Sequence, residues 1–300
     1  MSLGEAAGVL TVEPERAAPR RGRWQRLLTT IRQNPLGFLG LMIILILAIV
    51  GMFAPVIAPY GEGDLVGNAR EDPSLRHLFG TDNLGRDMFS RVVFGARISL
   101  AAGVLSVLGG TAVGTIIGIV SGYAGGALDD VIQRTVDTAL AFPALLFLLI
   151  VVQVLGPSIQ NVIIVIAIAI VPGVARVMRG AVLSERNNQY VEAARALGAS
   201  TPRIVFVHIL PNVTALAIIV ATTLLGTAIL AEAALSFLGL GIPAPNPSWA
   251  SDVSAARNHF PVHVWWALFP GAAISLTVLA FNLLGDSLRD VFDPRLRGRL

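Results

Sequence analysis

The sequence predicts an all-α membrane protein with six transmembrane helices. Charged residues make up 14% of the 300 positions and hydrophobic ones 54%, whereas soluble domains carry roughly 25% charged residues. Mean hydropathy is +0.73. A chain so poor in charge cannot cover a water-facing surface, so lipid serves as solvent for much of it. The apolar residues are also concentrated in long windows without Asp, Glu or Arg. These run over 33–61, 98–128, 138–175, 204–231 and 258–285.

Each window yields its elements in order. A span needs about 20 apolar residues. The first window gives a span near 36–58. Its basic flank, Arg20, Arg21, Arg23 and Arg26, resembles the start of a leader. The apolar core is too long for one, however, and Pro55 and Pro59 stand where cleavage would be needed, so an uncleaved anchor is expected. Residues 1–22, rich in Ala, Glu, Pro and Arg, read as disordered. The second span falls near 98–121. There Gly110, Gly114, Gly118 and Gly122 form a smooth ridge suited to close helix packing.

The third window is long enough for two helices, near 137–155 and 159–179, turning at Gly156-Pro157-Ser158. Pro143 and Pro172 could break these helices. The fifth and sixth spans fall near 212–233 and 264–286. Residues 233–251 are equally uncharged, but Pro243, Pro245 and Pro247 rule out a lipid-facing helix and make this stretch a loop.

Basic residues set the orientation. With the N-terminus inside, 16 of the 22 fall on cytoplasmic segments, which places both termini in the cytoplasm. The same distribution accounts for a pI near 10.1 without a nucleic-acid partner. All 22 are Arg, so a phosphate-loop lysine, a Schiff base and a Ser-Lys dyad are excluded. The absence of Cys excludes disulfides and thiolate metal sites. No nucleophile, acid–base or metal motif is evident, so no cofactor is expected on this chain.

The most informative stretch is the loop between spans four and five, NNQYVEAARALGASTPRIVFVHILPNV over 187–213. Val191 to Leu197 are good helix formers ended by Gly198. Thr201 is then expected to be an N-cap with Pro202 at the first helical position, and Pro211 to break the chain before span five. Ala193, Ala194 and Ala196 leave the first helix slim enough to enter a groove on another protein, with Glu192 and Arg195 at its edge.

This stretch resembles the EAA loop of importer-type ABC transporter permeases. Glu192, Ala193, Ala194, Gly198, Leu210 and Pro211 fall on the family pattern. His208 stands where the pattern has Ile, as in the peptide and nickel branch. Residues 80–100, 231–250 and 282–297 are similar to the corresponding stretches of the C-type permease of dipeptide and oligopeptide importers, although Ala250 replaces a more usual Gly. The resemblance implies a type I importer permease fold. It implies a cytoplasmic tail at 1–35, a first span and outer loop with an interfacial helix at 36–97, and a transmembrane domain at 98–300 whose coupling loop occupies 184–211. It further implies a sister permease, two ATPase subunits holding ATP and Mg, and an outer substrate-binding protein. The setting would be the plasma (inner) membrane. Di- or oligopeptides would be the cargo, with nickel or glutathione-like substrates as the alternative. A stand-alone secondary transporter is the competing class, and it would call for ionisable groups near mid-membrane.

Several other residues have two readings each. Asp82, Arg86, Asp87 and Arg91, interleaved with apolar residues, suggest an amphipathic interfacial helix. They would contact the binding protein or the sister permease, or form a structural ion-paired helix at the membrane surface. Glu232, at the outer end of span five, would serve the translocation pathway or anchor the helix. His259 and His263 are poorly placed for a metal, because Pro261 lies between them. Trp249, Trp265 and Trp266 are expected in an aromatic belt. Asp286, Arg289, Asp290 and Arg295 are expected to tie the last turn to the tail.

Overall fold

The computed structural model describes residues 34–292, so the expected tail at 1–35 lies almost wholly outside the described residues, as does Arg295. The described residues are helical, and the only bridges among them are two isolated ones, Leu65 with Arg86 and Thr81 with Asp87. Among the described residues five helices are long and apolar enough to cross a membrane, and the count is six when the bent pair Gly126–Ala141 and Ala144–Leu155 is taken as one span.

Helix α1, Pro35–Met52, is followed by the short α2, Ala54–Ile57. Three glycines seat α1. A methyl at Gly37 or Gly40 would meet Ser287 or the Ala280 carbonyl, and one at Gly51 would meet the backbone of Arg97. Leu39, Ile46 and Ile49 are exposed, as a lipid-facing span requires, while Ile44 and Leu47 are half-buried against the bundle.

Helix α3, Met88–Ala124, begins ten residues before the expected span. At 37 residues and 1.5 Å per residue it is about 55 Å long, well beyond a bilayer core of about 30 Å. Asp87 caps it by accepting from the Ser90 amide at 2.8 Å.

The glycine ridge packs on α6, Ile159–Arg186. A Cβ built on Gly114 would lie 2.7 Å from Val174 Cβ, and one on Gly118 would lie 2.7 Å from Met178 Cβ. Backbones therefore approach where no side chain fits. Arg186 closes this junction by donating to the Gly122 and Tyr123 carbonyls at 2.8 and 3.2 Å. A cation thereby satisfies the bare C-terminal end of α3.

The expected continuous span at 137–155 is not present. Helices α4, Gly126–Ala141, and α5, Ala144–Leu155, meet at 89°. Phe142 is extended and Pro143 opens α5. Proline disfavours helical backbone in the residue before it and lacks the donor a continuous ladder needs. Pro172, by contrast, sits inside α6 without ending it. The turn at Gly156 forms as expected, with φ +82°, and Ser158 caps α6.

Helix α7, Gln189–Ala196, follows α6. Then α8, Thr201–Arg203, runs through a π-helical stretch, Ile204–Ile209, into α9, Leu210–Phe237. Pro211 therefore does not break the chain as expected. In a regular α-helix its missing N–H would strand a carbonyl and its ring would clash with the preceding turn. The wider register, in which the Leu210 amide reaches Val205 O, relieves this just before the proline. After a loop containing Pro243, Pro245 and Pro247 come α10, Trp249–Ala256, and α11, Val264–Phe292.

The core lies between these helices. One cluster holds Val107, Val152, Val162, Ile166 and Leu235. A second holds Ile119, Met178, Val182, Val191 and Ile209 and fastens α7 to the bundle. A third surrounds Trp249 with Ala96, Ile229 and Phe281.

Candidate functional site

Helix α7 buries a single side chain. Val191 is fully buried against Val182, Ile204 and Ile209, while Glu192, Ala193, Arg195, Ala196 and Leu197 are exposed. The helix closes in a Schellman arrangement. Gly198 N–H donates to Arg195 O and Ala199 N–H to Ala194 O, both at 3.0 Å. Gly198 has φ +80° and no atom within 4 Å of where a Cβ would stand. Its requirement is one of backbone conformation alone. Ser200, rather than the expected Thr201, holds the next cap position, so Pro202 is the second helical residue.

The turn brings four of the eight expected coupling residues, Ala193, Ala194, Gly198 and His208, onto one recess. It has a volume of about 740 Å³ and is bordered by Ala193, Ala194, Leu197, Gly198, Arg203 and His208. The Tyr190 and His208 rings lie 6.0 Å apart. Asn212 holds that wall by donating to Tyr190 Oη at 3.1 Å and to His208 O at 2.6 Å. Leu197 is 88% exposed. Among the described residues Glu192 and Arg195 form no ion pair. Leu210 is half-buried and Pro211 exposed on the continuing helix.

The charges at 82–91 are placed differently from the amphipathic interfacial helix expected of them. Residues 82–87 form a loop, and Asp82, Asp87 and Arg91 are buried. Asp82 accepts from the Leu84 and Arg86 amides and from Arg86 Nε at 2.6 Å. Asp87 accepts from His77 Nδ1 at 2.9 Å as well as capping α3. Arg91 donates through Nε to Asp252 Oδ1 at 2.9 Å and through Nη1 to Glu62 O at 3.3 Å. These groups staple the loop onto α3 and α10.

Glu232 faces the interior of this chain. It is 1% exposed and accepts from Ser236 Oγ at 3.3 Å. Two tryptophans expected in a belt are core residues. Trp249 is fully buried and donates to Val92 O at 2.8 Å, and Trp266 stacks on His259. His263 meets Trp265 edge-on. Asp286, Arg289 and Asp290 are exposed on the last turns of α11.

The sequence reading missed three groups that the fold assembles. His77 carries no local signal. Asp129 meets Arg179 across α4 and α6 at 2.5 Å, and Arg176 pairs with Asp137. Asp129, Asp137 and Arg176 stand at window edges, where an isolated charge looks like a boundary marker.

Comparison with known proteins decides the family. The description "Binding-protein-dependent transport system inner membrane component" matches residues 114–298, and "N-terminal TM domain of oligopeptide transport permease C" matches 22–73. This chain belongs to the binding-protein-dependent inner membrane components. A dipeptide transport system permease protein, DppC of Alkalihalophilus pseudofirmus, is 41% identical to this component, covering 99% of the chain and 100% of the relative. Glutathione transport system permease proteins, GsiD of Escherichia coli and of Shigella boydii, are 43% identical over 93% of the chain and 92% of their own length. The matched region of this inner membrane component includes the α7 recess and every helix from α4 onward.

Proposed function

We propose that this permease forms, with a sister permease, the membrane pathway of an ATP-driven importer of short peptides. The α7 recess carries the reading. A helix that buries one valine, with small exposed residues and a glycine-closed turn, suits insertion into a cleft of another protein. Its attachment through Val182 to α6, and through Ile209 to the π-helical stretch that runs into α9, lets a push on α7 reach two spans. That attachment is the mechanical link a chain without its own phosphate-binding lysine needs. ATP and Mg are then held by separate ATPase subunits docked at this end, which is cytoplasmic together with both chain termini. A substrate-binding protein delivers cargo at the opposite face of the inner membrane. This chain contributes passage and coupling, with no catalysis of its own.

Peptide cargo is supported by relatives named for dipeptides and for glutathione, itself a peptide-like tripeptide. The similar identity to the two groups makes glutathione-type tripeptides a second reading. Because the chain has no cysteine, Ala193→Cys introduces a unique thiol for cross-linking. Cross-linked, the tagged full chain in native membranes is expected to capture a nucleotide-binding subunit, and reconstituted vesicles to take up labelled dipeptide or glutathione with ATP. Cross-linking that captures no nucleotide-binding protein would falsify the coupling assignment.

A further inference from the structure

A second recess lies at the elbow between α4 and α5. It has a volume of about 400 Å³ and is lined by apolar side chains, among them Leu140, Phe142, Pro143, Phe147, Ile168 and Pro172. The volume lies in the range of small-molecule sites. Its end toward α7 carries charge. Arg176 follows Pro172 by four residues on α6, and Asp137 precedes Ala141 by four on α4. Residues four apart share a helix face, so Ile168, Pro172 and Arg176 form one row, and Asp137 and Ala141 another. Arg176 and Asp137 are paired, and their side chains are 52% and 61% exposed.

Arg176 lies ten residues before the end of α6, about 15 Å along the axis at 1.5 Å per residue. That places Arg176 at the inner edge of the span expected over 159–179, as Asp137 opens the one expected over 137–155, so both exposed charges stand at the membrane boundary, where an ionised side chain costs little. The other ionic link between these helices, Asp129 with Arg179, is more enclosed, its carboxylate 9% exposed. Asp137 and Arg176 therefore add an accessible anion and cation at the mouth of an apolar pocket.

We infer that this elbow is a transit subsite for a short zwitterionic peptide. Asp137 receives the terminal ammonium, Arg176 receives the terminal carboxylate in a charge-assisted contact, and the recess shelters an apolar side chain. The pair satisfies itself while the site is empty and opens to a ligand bearing both charges. The inference rests on the peptide-importer reading above and deepens it.

The test uses the assembled complex in vesicles with its binding protein and ATP. Ala141→Cys, in a chain otherwise free of cysteine, is expected to react with a charged thiol reagent, and alanyl-phenylalanine is expected to slow that reaction. Failure to label from water, or labelling that the peptide leaves unchanged, overturns the subsite. Asp137→Asn and Arg176→Gln are expected to lower uptake of alanyl-phenylalanine about tenfold. They are also expected to abolish its preference over the N-acetylated, C-amidated form. Wild-type preference in both variants overturns the subsite and leaves the importer intact. If the unaltered complex moves no peptide, the importer reading falls and the subsite with it. Should either variant fail to assemble, protection of the Ala141→Cys thiol still decides the question.

Discussion

Arg91 and Asp252 form an ion pair buried to within 4% of full enclosure, although 161 positions separate them. Arg91 stands one turn into α3, and Asp252 lies in the first turn of α10. The pair pins the start of the longest helix to the short helix that follows the proline-rich loop.

Losing one partner leaves a buried charge uncompensated, whereas removing both does not. Arg91→Leu is expected to destabilise the detergent-solubilised protein by about 3–5 kcal/mol, and Arg91→Leu with Asp252→Leu by distinctly less. Thermal unfolding followed by tryptophan fluorescence checks this, because Trp249 donates to Val92 O beside the pair. A double variant as unstable as the single one would show that the pair is not the source of the effect.

The glycine ridge gives a second prediction. A Cβ at Gly118 would stand 2.7 Å from Met178 Cβ and 2.8 Å from the Ala175 carbonyl. Neither neighbour is the free end of a flexible chain. Gly118→Val is expected to cost at least the roughly 1–3 kcal/mol of an overpacked core and to separate α3 from α6. Gly173→Val, where nothing lies within 4 Å, is its control. Yields of monodisperse protein after solubilisation distinguish the two.

Most spans were legible because lipid imposes a simple rule, long runs without charge, and α1, α3, α6, α9 and α11 obey it. The α7 turn was legible because it is local: Val191, Gly198 and Pro202 act within a few residues of themselves. The elbow at Pro143 was not, since Pro143 and Pro172 occupy equally apolar surroundings. Packing separates them: the Val171 carbonyl and Val174 of α6 lie against Gly114 and help hold that helix straight, while much of α4 and α5 is exposed. The charges at 82–91 were misread for a related reason. An amphipathic pattern shows which residues are polar, but the polar face was turned inward by Asp252 and by His77, neither of which a local pattern can announce.

Pro211 offers a test of the π-helical stretch. Its missing N–H is what the i→i+5 register at Ile204–Ile209 accommodates. Pro211→Ala restores the donor and lets the regular α register run from Thr201 onward. Because Ile204 and Ile209 are both buried under α7, that change would rotate residues 201–209 relative to α9 and disturb the seat of Val191. Hydrogen exchange of α7 amides is expected to accelerate while that of α9 holds. Unchanged exchange in α7 would mean that the π register is set by packing rather than by the proline.

Gly198 separates shape from stability in the coupling loop. At φ +80°, a non-glycine residue costs roughly 1–2 kcal/mol, yet no neighbour within 4 Å resists a side chain. Gly198→Ala should therefore loosen the turn without disturbing the bundle. Gly198→Pro is harsher, because the ring fixes φ at a negative value and removes the N–H that binds Arg195 O at 3.0 Å. With the importer reading, coupled ATP hydrolysis in reconstituted vesicles is expected to fall in the order wild type, Gly198→Ala, Gly198→Pro, at equal membrane insertion. Glu192→Lys changes an exposed charge and leaves the turn intact, so it should weaken ATPase docking while preserving α7 exchange protection. Full transport by Gly198→Pro would show that the glycine-closed turn is dispensable for coupling.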